Sequence, residues 1–138
     1  MAAHPAQPQH QGLDLVAGLD IGDELAVEPL NGADVAVDFT VPGVTETNVH
    51  TLIDAGVDVV VGTTGWTEES YERVREHLAR PEAAGRSVLI APNFALSAVL
   101  AMSFAAKAAP YFESAEVIEL HHPNKVDAPS GTAVATAQ

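Results

Sequence analysis

The chain of 138 residues contains no cysteine, which excludes a disulfide framework, a thiolate nucleophile and a cysteine-ligated zinc. Basic side chains are scarce: six Lys and Arg face nineteen Asp and Glu, a formal net charge of −13. A surface of that sign repels phosphate backbones and anionic lipid, so neither nucleic acid nor a membrane is expected as a partner. No apolar run approaches the roughly twenty residues of a membrane span. The opening residues, MAAHPAQPQHQ, have neither the basic nor the apolar stretch of a secretory signal, and a cytoplasmic location is expected. Also missing is a G-x-G-x-x-G turn: the ten glycines are scattered, and Gly18-x-x-x-Gly22 has the wrong spacing. What is present is apolar residue at 47% against 18% charged. That is enough to build a core, and it excludes a disordered or collagen-like chain.

Residues 1–11 have no periodicity and are expected to form a disordered tail. From Gly12 onward, short apolar runs at Leu13–Ala17, Asp34–Phe39, Val57–Val61, Ser87–Ala91 and Ala115–Leu120 read as strands. The Val57–Val61 run is nearly continuous and β-branched, as a strand covered on both faces would be. Helical spacing lies between them. Val49, Leu52 and Ile53 follow the Val41-Pro42-Gly43 entry, with Gly56 suited to the position just past the helix end. Tyr71, Val74 and Leu78 form a second stripe, with Thr67 as N-cap, Glu68 and Glu69 in the first turn and Arg80 near the last. An Ala-rich helix is predicted from Leu96 to Ala109, stopped by Pro110, and another starts at Ser130-Gly131-Thr132. Strands alternating with helices argue for parallel βαβ units.

The densest cluster of reactive side chains runs from Glu119 to Thr132 and follows a predicted strand, where open α/β sheets place ligands. His121 and His122 near Lys125 offer an acid/base group beside a fixed positive charge. Ser130-Gly131-Thr132 offers hydroxyls and backbone N–H groups to an anion. Together they describe a site for a small anionic substrate that must be protonated. The plainer reading makes the histidines the surface end of a strand, Lys125 a solvated charge and Ser130 an N-cap. A metal held by His121, His122 and Asp127 is a further alternative, but adjacent strand residues point to opposite faces and chelate poorly. Two loops form a second candidate site. Gly62-Thr63-Thr64-Gly65 lets a backbone approach a ligand, and Ala91-Pro92-Asn93-Phe94 supplies an amide and an aromatic face. Both are also ordinary turn chemistry. Asp20 ends the first run, either as a ribose-binding carboxylate or as a turn former.

Four segments in order carry a resemblance: Val37-Asp38-Phe39-Thr40, Val61 to Gly65, Ala91 to Phe94, and Glu119 to Ala133. The last matches every fixed letter of E-x-H-H-x-x-K-x-D-A-P-S-G-T-A. From about Leu13 to its end the chain resembles the bacterial dihydrodipicolinate (4-hydroxy-tetrahydrodipicolinate) reductase family of lysine and diaminopimelate biosynthesis, most of all its actinobacterial members. The resemblance implies a Rossmann-like α/β parallel sheet over 12–94, incomplete because the first strand, glycine loop and helix are missing. It implies the truncated start of an α+β substrate domain over 95–138. It implies His121 as proton donor or acceptor, Lys125 as second proton donor, and His122, Ser130, Gly131 and Thr132 as substrate contacts. Asp20, Gly62, Thr63, Thr64, Ala91, Pro92, Asn93 and Phe94 would contact NADH or NADPH. The substrate would be a small dicarboxylate, and full-length members are homotetramers. The alternative is an inactive fragment or binding-only remnant of that enzyme. A sheet without its first strand is also expected to leave an apolar face and edge open, and so to be marginal or aggregation-prone.

Overall fold

The computed structural model describes residues 12–123 and 128–137. Its centre is a three-stranded parallel sheet, in the order β1 (Val35–Asp38), β2 (Asp58–Val61), β3 (Val88–Ile90). Val35 is in register with Asp58, and Val59 with Val88. Helices α1 (Pro42–Asp54) and α2 (Glu68–Leu78) form the two crossovers. This is the expected α/β parallel architecture, and helix propensity and sheet pattern agree with it.

Local chemistry explains the helix ends. Pro42 occupies the first turn of α1, where its missing N–H costs nothing. At the other end the Gly56 N–H donates to the Ile53 carbonyl and the Val57 N–H to Leu52, each at 3.0 Å. Gly56 has φ +77°, the left-handed conformation that glycine adopts without penalty. Helix α2 begins with a capping box. The Ser70 N–H donates to Thr67 Oγ1 at 3.3 Å, and the Thr67 N–H to Ser70 Oγ at 2.8 Å. Glu68 and Glu69 lie in its first turn as expected, but Arg75 and His77 occupy its last turn, and Arg80 falls beyond it.

Period-2 alternation places the core. Val59 and Val61 on β2 point toward α1, where they meet Val49, Leu52 and Ile53. Ile53, Val49, Val59 and Val61 are almost wholly excluded from solvent, and each such burial stabilises the fold by roughly 1.5–3 kcal/mol. The opposite face carries Val35, Val37, Val60 and Leu89. Val37 is 63% exposed and Leu89 56%. The expectation that β2 is covered on both faces is therefore corrected: α1 and α2 both pack on one side.

Two predicted strands do not form. Leu13–Ala17 and Ala115–Leu120 take no regular structure, and no described segment pairs with either. A strand is defined by its ladder, and neither run has a neighbour among the described residues to supply one. The first is tied instead by Asn31 Nδ2 donating to the Val16 carbonyl at 3.1 Å. The Ala-rich helix, α3, spans Leu96–Ala108, and Pro110 does not stop the chain's turning. The backbone tightens into a 3₁₀ turn over Ala109–Tyr111, whose first turn accepts a proline. Helix α4 spans Gly131–Ala137. Among the described residues no helix is long and apolar enough to cross a membrane.

Candidate functional site

Parallel strands place all their carboxyl ends on one edge, so the loops after β1, β2 and β3 leave the sheet together. Asp38, the last residue of β1, organises two of them. Its Oδ1 accepts from the Thr40 N–H at 3.0 Å, the Thr40 hydroxyl at 2.8 Å and the Thr63 hydroxyl at 3.0 Å. Its Oδ2 accepts from Asn48 Nδ2 at 3.1 Å, and its carbonyl from the Gly62 N–H at 2.9 Å. Burial pushes the Asp38 carboxyl up, but the hydrogen bonds from Thr40, Asn48 and Thr63 outweigh it and hold the group below its ordinary value. With no side chain at Gly62 the Phe39 ring lies directly over this loop, in the space a Cβ would fill. Phe39 in turn lies against Phe94 of the β3 loop, with centroids 5.8 Å apart and planes tilted by 59°.

The distant segment that begins α4 docks onto these loops. Asn93 Nδ2 donates to Thr132 Oγ1 at 2.9 Å, while Asn93 Oδ1 accepts from the Ala95 N–H at 2.7 Å. A Cβ on Gly131 would come within 2.7 Å of Thr64 Cγ2, so glycine lets α4 approach the β2 loop. Ser130 caps the helix, its hydroxyl accepting from the Ala133 N–H at 3.1 Å. Glu119 closes the group from the other side. Its Oε1 accepts from the Ser130 N–H at 2.8 Å, and its Oε2 faces His121 Nε2 at 2.7 Å. The Ser130 hydroxyl, the His121 ring and the Ser130 amide together hold the Glu119 carboxyl down at about 2.

The predicted site residues thus separate into three sets. Thr64, Asn93, Gly131 and Thr132 meet directly; Gly62, Thr63, Ala91, Pro92 and Phe94 line the same strand ends; Ser130 and His121 join through Glu119. His122 is exposed beside them. Asp20 is apart, in an exposed turn where its Oδ1 accepts from the Ile21 N–H at 2.7 Å and its own N–H donates to Asp23 Oδ2 at 2.8 Å. Lys125 and Asp127 lie outside the described residues. Among the described residues no three His, Asp or Glu side chains are arranged to hold a metal ion. Sequence reasoning assigned no role to Asp38 or Glu119, although both lie in segments it singled out. A carboxylate ending a strand before Thr40 signals the first. For the second, the i, i+2 spacing to His121 would put both side chains on one side of the strand predicted there.

Two family models cover the chain: dihydrodipicolinate reductase, N-terminus, matches residues 7–94, and dihydrodipicolinate reductase, C-terminus, matches residues 97–138. The 4-hydroxy-tetrahydrodipicolinate reductase of Beutenbergia cavernae is 66% identical over 129 residues, covering 93% of this chain and 51% of that protein. The Bifidobacterium longum enzyme of the same name is 61% identical over 124 residues, covering 89% and 49%. A solved dihydrodipicolinate reductase from Paenisporosarcina sp. TG-14, with dipicolinate bound, superposes with a TM-score of 0.65 at 37% identity. That match covers 93% of this chain and 56% of the solved one. The chain spans about half the length of the curated relatives it matches.

Proposed function

The chain belongs to the dihydrodipicolinate reductase family, and on that premise we propose that it carries the proton-transfer and nicotinamide-facing parts of such a reductase. The reaction converts 4-hydroxy-tetrahydrodipicolinate, with a hydride from NADH or NADPH and a proton, into tetrahydrodipicolinate and water, in cytoplasmic lysine and diaminopimelate biosynthesis. The observation that carries the reading is the docking of the Ser130-Gly131-Thr132 turn onto the β2 and β3 loops through Thr64 and Asn93. It brings the residues proposed for substrate within reach of those proposed for cofactor.

The residues present fit the nicotinamide half of a dinucleotide. Gly62 has no side chain to obstruct the loop, and Phe39 and Phe94 present exposed aromatic surface at the strand ends. Gly62, Thr63, Thr64 and Ala91 to Phe94 would hold that half, and Asp20 the adenosine ribose once its turn contacts are released. Bound there, the reduced nicotinamide supplies a hydride. The chain's own part is binding and proton transfer. Ser130, Gly131, Thr132 and His122 hold the dicarboxylate, Lys125 offsets its charge and is the second proton donor, and His121 moves a proton at the ring.

The test is an assay of this chain with NADH or NADPH and substrate generated in place by the preceding synthase. We expect substrate-dependent nicotinamide oxidation that falls on the order of 10²–10⁴-fold in His121→Gln. A chain that neither turns over nor binds pyridine-2,6-dicarboxylate defeats the proposal.

A further inference from the structure

Glu119 has two carboxylate oxygens, and the structure gives each a different task. Oε1 takes the Ser130 N–H at 2.8 Å, and Oε2 takes His121 Nε2 at 2.7 Å. An ionised carboxylate has no proton to donate, so its contacts must all be donors. The carboxyl is ionised across the whole working range, because the Ser130 hydroxyl, the His121 ring and the Ser130 amide hold it at about 2. The contact with His121 is therefore Nε2–H donating to Oε2. In a neutral imidazole one nitrogen carries the proton and the other a lone pair, and the partner of the first decides which is which.

We infer that Glu119 is the positioning residue of the site: it fixes His121 as the Nε2–H tautomer, leaves Nδ1 as the atom that exchanges a proton with substrate, and ties that ring to the Ser130 turn. The inference deepens the reductase reading and rests on it for the word substrate, but the tautomer itself is a property of this chain alone. The geometry is economical in sequence. Glu119 and His121 are only two positions apart and meet at 2.7 Å, while Leu120 between them is 91% exposed. The bridge to Ser130 crosses eleven residues, so one side chain sets both the ring's orientation and its distance from the Ser130-Gly131-Thr132 turn.

The experiment is ¹⁵N–¹H NMR of histidine-labelled chain at about pH 8.5, two units above the ordinary imidazole pKa, with pyridine-2,6-dicarboxylate titrated into each sample. In the unaltered chain the ¹⁵N shifts of His121 are expected to report a proton on Nε2 and a lone pair on Nδ1. Glu119→Gln replaces one of the two acceptor oxygens with an NH2 donor, so the positions facing His121 and Ser130 no longer both accept. It should shift His121 toward the Nδ1–H form or a mixture, and weaken dicarboxylate binding about tenfold. Glu119→Asp keeps the acceptor chemistry and should retain most of the Nε2–H population. A general loss of folding would not move the tautomer selectively in this way, and the measurement on the unaltered chain needs no variant. His121 protonated on Nδ1 in that chain, or a tautomer unchanged in Glu119→Gln, overturns the inference. A normal tautomer result with no dicarboxylate binding in any sample instead defeats the reductase reading and leaves the positioning role standing.

Discussion

Four donors from three residues converge on the Asp38 carboxylate at the end of β1. Asp38→Asn would turn one acceptor oxygen into a donor facing Thr63 or Asn48. We expect a loss of roughly 1–3 kcal/mol, read from urea unfolding, together with release of the Thr63 loop in amide exchange. The sign of the acid effect follows from the lowered Asp38 value. Its stabilisation is complete above the unfolded carboxylate range of about 4 and is lost as pH falls through the folded value. Gly131 tests the site itself. Gly131→Ala adds a Cβ 2.7 Å from Thr64 Cγ2 while favouring the helix it begins. Dicarboxylate affinity, measured by calorimetry, should fall about tenfold with no loss of helix content. At this scale the identity of Gly131 and Thr132 was readable from the signature. Their pairing with Thr64 and Asn93 was not, because nothing in a linear spacing says which loop a turn will meet.

Between elements, the packing of α1 on α2 includes a chain of polar groups with a protonation requirement. His50 Nδ1 and His77 Nδ1 are 2.7 Å apart, and His77 Nε2 is 2.9 Å from Asp54 Oδ1. Asp54 accepts, so His77 donates from Nε2 and offers its Nδ1 lone pair to the Nδ1–H of His50. Glu46, 3.7 Å from His50, also pairs with Arg73 at 2.6 Å. Burial, and then the neighbouring His77, push the His50 value down. A depressed histidine contributes stability that is full above the unfolded value of about 6.5 and is lost as pH falls through the folded one. The urea midpoint should therefore drop between about pH 7.5 and pH 5.5. His50→Ala should lower stability at neutral pH by roughly 1 kcal/mol and flatten that slope; an unchanged slope refutes the account. Element ends were legible in sequence wherever they are set locally, as at Thr67 and Gly56. The runs at Leu13–Ala17 and Ala115–Leu120 misled because apolar alternation describes a strand's faces and says nothing about whether a partner is there to complete its ladder.

For the molecule as a whole, the open sheet face and the apolar surface of α3 oppose the net charge of −13. Apolar side chains such as Val37, Leu89, Leu96 and Phe104 favour association, and the acidic surface resists it. Salt screens the second and leaves the first. Light scattering should thus show association that grows from about 10 mM to about 150 mM salt, the range over which the screening length shortens from roughly 30 Å to 8 Å. Leu89→Lys, on the open face of β3, should reduce it. A monodisperse monomer at both salts, with a sharp reversible unfolding transition, would refute the expectation.

Sequence alone determined the family, the α/β class, the helix boundaries and the acidic surface. Each depends on residue identity or on hydrogen bonds reaching a few positions along the chain. Tertiary structure decided which face of the sheet is covered, that Asp38 is a buried acceptor, that Thr64 and Asn93 meet Gly131 and Thr132, and which nitrogen of His121 faces Glu119. All but the last of these join residues far apart in the chain. The last is a matter of ring orientation, set by Glu119 and inherited from the docking of Ser130. Spacing can nominate such groups, but only packing of the loops and helices brings their atoms within hydrogen-bond distance.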